Sequence, residues 1–285
     1  MPMNRPRTSS LPLARLRLIL LVSLLVATGS PVQASDWVEE GSSSASGAQV
    51  KKSGGGITLK LGVEHSESVA PVPLKLQLGE IFDERILSTP SNLQWYRIPE
   101  WLAGKWRRQQ ETIVSTRDFQ TGQVSNSRRA IRSEQIADFG VQRDAAGDIW
   151  NCNLSMKGVS DRGSYRSVAL VRKQVPVVSE PGRVVLQEEF VVLHVMHGTG
   201  AIMESYIVES LTQYRPIKRG LLETSMSVKI YQADGSPKNQ QENVAFDRLI
   251  TPFTSVDKYK GLDVRADFDN FLRSSNQANL IVDPD

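Results

Sequence analysis

Residues 95–106 read Trp95-Tyr96-Arg97-Ile98-Pro99-Glu100-Trp101-Leu102-Ala103-Gly104-Lys105-Trp106 and carry three of the chain's five tryptophans. Upstream the sequence is thin in apolar residues, and downstream it is dense in β-branched ones. Pro99 suits a short turn of helix over Pro-Glu-Trp-Leu-Ala, because its fixed φ fits a helix start. Gly104 lets the chain bend, and Trp106 opens an extended run that reaches Thr116. A bulky ring set just after such a bend suits one task, plugging the closed end of a barrel.

From there the apolar pattern has period two, broken by turn residues. Strands are predicted at 106–117, 127–143, 148–157, 163–178, 183–197, 201–214, 221–232 and 243–250. Asp144-Ala-Ala-Gly-Asp148 and His197-Gly-Thr-Gly-Ala201 supply hairpin turns. Eight successive strands with no long helix between them predict a mainly β fold, an eight-stranded antiparallel up-and-down barrel. A two-sheet sandwich is the alternative. Val264, Phe268, Phe271 and Leu272 then fall at helical spacing, with Asp263 placed to cap. They predict one C-terminal α-helix over about 261–274, laid against the outside of the barrel.

The two ends read differently. Arg5, Arg7, Arg15 and Arg17 precede a short apolar core and a small-residue site at Val32-Gln33-Ala34, the pattern of a secretory signal over 1–34. This predicts an exported chain, periplasmic, extracellular or thylakoid lumenal. Residues 35–91 are rich in Gly, Ser and Pro and read as a mostly disordered linker with one docking segment. Leu74 to Leu78 alternates as a short edge strand would, and Ile81 to Leu87 suits a helical turn or two. The barrel domain spans 92–285. The 34 Lys and Arg fall to 30 once the four arginines of 1–34 are removed, against 31 Asp and Glu. A balanced mature chain removes the electrostatic warrant for a nucleic acid partner.

Gly104-Lys105-Trp106 after a helical turn resembles the Gly-x-Trp signature that opens the first strand of lipocalins, members of the calycin superfamily. Thr212-Gln213-Tyr214, at the end of the sixth predicted strand, stands where that family carries Thr-Asp-Tyr. Arg248, near the end of the eighth, stands where it carries an arginine that packs over the tryptophan. The resemblance covers about 95–274. It implies a cup whose closed end is built from Gly104, Trp106, Thr212, Tyr214 and Arg248, as structural rather than catalytic residues. Gln213 in place of aspartate and the lack of a disulfide depart from the pattern. Ile98 to Trp106 also resembles the opening of an uncharacterised family of exported or lumenal proteins of photosynthetic organisms.

Catalytic chemistry finds little support. His194 and His197 are three apart, so in a strand they point to opposite faces and cannot share a metal. Neither Gly-x-Ser-x-Gly nor a cysteine cluster occurs, and Cys152, the single cysteine, reads as a small buried apolar residue. Glu188 and Glu189 are adjacent, and Glu204 and Glu209 differ by an odd number; these acids read as solvated. Trp101 and Tyr96 suit core packing, with a membrane surface as the alternative. No catalytic residue, metal or cofactor is indicated. The alternation of Leu222, Thr224, Met226, Val228 and Ile230 gives one apolar face, which either fills a solid core or lines a ligand cavity. Two functions follow: binding of a small hydrophobic or amphipathic molecule in the barrel, or a non-enzymatic protein-interaction or assembly role for a solid barrel.

Overall fold

The computed structural model describes residues 63–84 and 93–282. The secretory signal read at 1–34 lies outside the described residues, as does the linker apart from 63–84. The chain is mainly β. Its strands are β1 (Tyr96–Ile98), β2 (Gly104–Asp118), β3 (Val124–Ser125), β4 (Arg129–Phe139), β5 (Gln142–Arg143), β6 (Ile149–Asn151) and β7 (Lys157–Asp161). They continue with β8 (Tyr165–Glu180), β9 (Arg183–Met196), β10 (Ile202–Lys218), β11 (Leu221–Tyr231), β12 (Pro237–Pro252), β13 (Lys258–Tyr259) and β14 (Leu262–Asp263). One α-helix follows, α1 (Val264–Ser274).

All pairings are antiparallel, and the main sheet runs β4-β2-β12-β11-β10-β9-β8-β7, with β3 also on β2. The region read as one strand over 127–143 divides at Gly140-Val141 into β4 and β5. The region read as 148–157 keeps only β6. These pieces leave the main sheet: β6 pairs with β1 and β5 in a separate three-stranded sheet. No strand therefore remains to join β4 to β7, and among the described residues no ladder closes the ring expected from the sequence.

The sheet is open by its hydrogen bonds yet strongly curled. The rings of Phe139 on β4 and Tyr214 on β10 are 5.0 Å apart, although β10 lies four strands away in the sheet order. In a flat sheet that separation is about 19 Å, at roughly 4.8 Å per strand. The curl gives the sheet an inner face, which packs on itself. At one end of it lie Leu102, Trp106, Phe139, Leu186, Tyr214 and Leu222. At the other lie Val171, Phe190, Val192, Val208, Val228 and Ile230.

The outer face of β8 to β11 is covered by 63–84. Val72, Leu76 and Phe82 bury against Leu170, Val191, Leu193 and Ile207, so this segment is part of the core. It crosses the chain at Gly235, whose φ is +89°, and a Cβ built there would lie 2.0 Å from Val69 O. Leu74–Leu76 is a turn of 3-10 helix rather than the edge strand the alternation suggested. Among the described residues its one isolated β-bridge is Ile81 to Ala201.

Helix α1 sits outside the main sheet, on the three-stranded one. Val264, Phe268 and Leu272 are fully buried against Trp95, Trp150 and Cys152. Asp263 caps it, accepting from Ala266 N at 3.0 Å, and Trp95 Nε1 donates to Asp267 at 2.8 Å. Cys152 is buried here, as its apolar surroundings in the sequence suggested.

Candidate functional site: the seam between the sheet margins

Trp106 and Tyr214 lie in one buried cluster. The 3-10 turn Glu100–Leu102 positions the ring, because Leu102 O accepts from Trp106 Nε1 at 2.8 Å. Gly104 lies under this turn with φ +128°, and a Cβ there would stand 2.8 Å from Thr251 O. Thr212 is fully buried, its hydroxyl 3.0 Å from that of Ser210.

Arg248 is not over Trp106. It is exposed on the outer face, as alternation requires once its neighbour Asp247 points inward. The buried arginine is Arg108, which holds Asp247 through Nε and Nη2 at 2.8 and 2.9 Å. Glu111 lies 3.7 Å from Arg108, and burial raises its pKa. Tyr96 is half-buried, with Asn151 Nδ2 donating to its hydroxyl at 2.6 Å. Trp101 Nε1 donates to Pro181 O, so both aromatic side chains are engaged by the fold.

Two of the acids read as solvated are buried, on opposite faces of the sheet. Glu188, on β9, points inward beside the seam where the margins of the curled sheet approach. Gln174 Nε2 donates to its Oε1 at 2.6 Å, and burial pushes its pKa up to about 7. A crevice of about 100 Å³ opens there, lined by Phe139, Asn151, Gln174, Glu188, Tyr214 and Tyr259 among others. The Tyr214 hydroxyl is pushed well above its usual range by burial and then by the Glu188 charge. The crevice therefore brings together a carboxyl whose pKa burial raises, the Tyr214 phenol that stays protonated near neutral pH, and the amides of Asn151, Asn153 and Gln174.

Glu209, on β10, points outward and anchors the covering segment. It accepts from Ser66 N at 3.0 Å, Gln187 Nε2 at 2.7 Å and Tyr231 OH at 2.8 Å. A carboxylate only accepts, so His65 Nδ1, 2.9 Å away, donates to it. Burial alone would raise the Glu209 pKa, but the hydrogen bonds from His65, Tyr231 and Gln187 bring it down to about 2.

His65 Nε2 lies 2.9 Å from Ser227 Oγ, which completes a Ser–His–carboxylate order. Ser227 is 0 % exposed and lies beneath the segment that carries His65. Lifting that segment to admit a substrate would remove the base with it, so the trio is a fastening. Nothing in the sequence signals it, since its members come from three separate stretches.

His194 and His197 do not meet. His194 Nδ1 is 2.9 Å from Glu204 and its ring rests 4.6 Å from that of Tyr165, while His197 is exposed, 3.5 Å from Asp161. Among the described residues no group of three or more His, Cys, Asp or Glu is arranged to hold a metal. No helix among them is long and apolar enough to cross a membrane. No protein-family model, curated protein or solved structure matches the chain.

Proposed function

We propose that the chain is an exported, lipocalin-like protein that binds a small amphipathic molecule at the seam. The polar head enters the crevice against Glu188, Gln174 and Tyr214, and the apolar part lies along Phe139, Val141 and Leu154. The observation that carries this reading is the buried Glu188 carboxyl that lines a crevice and, among the described residues, accepts a hydrogen bond from Gln174. Burying an acid is costly unless something repays it, and a ligand's hydrogen bond or positive charge at that carboxyl does so.

The volume limits the ligand. A sequence-based barrel of the carrier type calls for several hundred cubic ångströms, whereas the crevice holds about 100 Å³. The rest of the interior is filled by side chains such as Trp106, Tyr214 and Phe190. A head group or short chain fits inside, and the remainder of the molecule lies along the seam.

Native mass spectrometry of protein purified from its own host without detergent tests this. An extra mass that leaves on denaturation, and that is lost from Glu188→Leu, is the expected result. A bare mass together with no binding of a panel of lipids, pigments and fatty acids would sink it. That outcome would favour the second reading, a solid interaction module, for which the exposed Phe246 and Ile250 on β12 speak.

A further inference from the structure

The outer face of the sheet is covered unevenly. Residues 63–84 cover β8 to β11, but the adjoining outer face of β2 and β12 carries large apolar side chains in the open: Val244 is 37 %, Ile250 46 % and Phe246 59 % exposed. The β2–β12 register shifts between Ala245 and Asp247, beside Phe246, and on its other side β2 shifts against β4 between Arg108 and Gln110. These shifts leave a groove of about 380 Å³ bordered by Arg107, Gln109, Thr112, Val244, Phe246 and Arg248, with Glu111 and Ala245 at its floor.

The charge on this face is specific. Arg107 and Arg248 are direct cross-strand partners, a like-charge pairing that costs stability unless an anion lies near. Glu134 answers Arg107. Glu223, the register partner of Phe246, faces Arg215 at 4.0 Å. Arg132, opposite Gln110, adds a further exposed cation. Arg107, Arg132, Arg215 and Arg248 thus stand against Glu134, Glu223 and the half-buried Glu242. Glu111 at the floor is taken up by Arg108, which leaves a small excess of positive charge around the groove.

We propose that this groove seats the chain's own segment Asp36-Trp37-Val38-Glu39-Glu40, which follows the predicted signal cleavage site. The segment couples three carboxylates to a tryptophan and a valine within five residues. That is the complement of a groove with an exposed phenylalanine, a valine and an excess of arginine. No other stretch between residue 35 and residue 62 combines an aromatic residue with acids.

The path is short. The covering segment begins on β11, where His65 meets Ser227, and the register partner of Phe246 is Glu223 on the same strand, four residues along. That is about 13 Å at 3.3 Å per residue. The 22 residues 41–62 reach about 75 Å when extended, and a flexible chain of that length spans about 26 Å on average. The segment would thus prolong the cover already laid by 63–84 from β11 onto β12 and β2. The inference is independent of the seam crevice, which lies on the inner face.

A photo-crosslinking residue in place of Phe246, in full chain expressed and processed in its own host, tests the proposal. Phe246 is exposed, so the change does not empty the core. The expected product is an intramolecular crosslink to the peptide containing 36–40. Its yield should fall at least fivefold in Glu39→Lys/Glu40→Lys and recover when Arg248→Glu is added. Crosslinks between ¹⁵N- and ¹⁴N-labelled copies would assign the groove to a second copy and overturn the proposal. Crosslinks only to other proteins or to lipid, no crosslink at all, or an intact mass showing that the processed chain starts beyond residue 40 would overturn it as well.

Discussion

Arg108 and Asp247 meet across the β2–β12 ladder in a two-point contact inside the curled sheet, with Nε donating to Oδ1 and Nη2 to Oδ2. Thr224 Oγ1 donates to the same carboxylate at 2.7 Å. Both charged groups are almost wholly out of water, so each depends on the other. Asp247→Ala removes the two-point partner, leaves the buried guanidinium only Glu111 at 3.7 Å as counter-charge, and should cost about 3 kcal/mol. Arg108→Met combined with Asp247→Leu should recover most of that loss. A double-mutant cycle in chemical denaturation measures it, and additive losses would show that the two residues do not act as a pair.

The Trp106 ring is buried in the inner cluster, and its Nε1 donates to Leu102 O. Trp106→Ala should lose about 3–5 kcal/mol. Trp106→Phe keeps most of the apolar volume and loses one hydrogen bond, so it should cost clearly less. A loss below about 1 kcal/mol for the alanine variant would show that the ring contributes little to the buried cluster.

Glu188 should make stability fall as pH rises. Its pKa goes from the ordinary 4.5 in the unfolded chain to about 7 in the folded one. Between those values the folded state holds a proton that the unfolded state has released. The stabilising contribution is complete below about pH 4.5, declines as pH rises towards 7, and is gone above it. The total is about 3 kcal/mol, from 1.36 kcal/mol per unit. Glu188→Gln should flatten that slope when unfolding free energies are compared across pH 4.5–8.

Glu209 works in the opposite direction. Its folded pKa, near 2, lies below the unfolded 4.5, so its contribution is present above pH 4.5 and lost as pH falls from there towards 2. Glu209→Gln should loosen 63–84 selectively, because His65, Ser66 and Gln187 lose a common acceptor. Amide hydrogen exchange should quicken in 63–84 more than in β2 or β12. Uniform quickening would mean that Glu209 supports the whole sheet rather than the fastening.

Asp263 caps α1 through Ala266 N. Asp263→Ala should cost about 1 kcal/mol, and Asp263→Ser far less, as thermal melts of the two variants would show.

What the sequence determined by itself is local. Period-two patterning located β2, β8, β9, β10 and β11 within about four residues at each end, because alternation is written into neighbouring residues. The spacing of Val264, Phe268 and Leu272 and the cap at Asp263 likewise placed α1. Trp106 and Tyr214 share one buried cluster, but Arg248, which the resemblance set over the tryptophan, stays outside it. What only the tertiary structure decided depends on which face turns inward and which strands pair across the chain. Alternation divides Asp247 from Arg248, and Glu188 from Glu189, without saying which member is buried. That choice put Asp247 with Arg108 in the interior and sent Arg248 outside. Burial of Glu209 needed the distant His65–Ser66 segment, and the open seam arose because β6 found partners in β1 and β5 instead of the main sheet. Each of these rests on contacts between residues far apart in the chain, and their free energy has no counterpart in local sequence pattern.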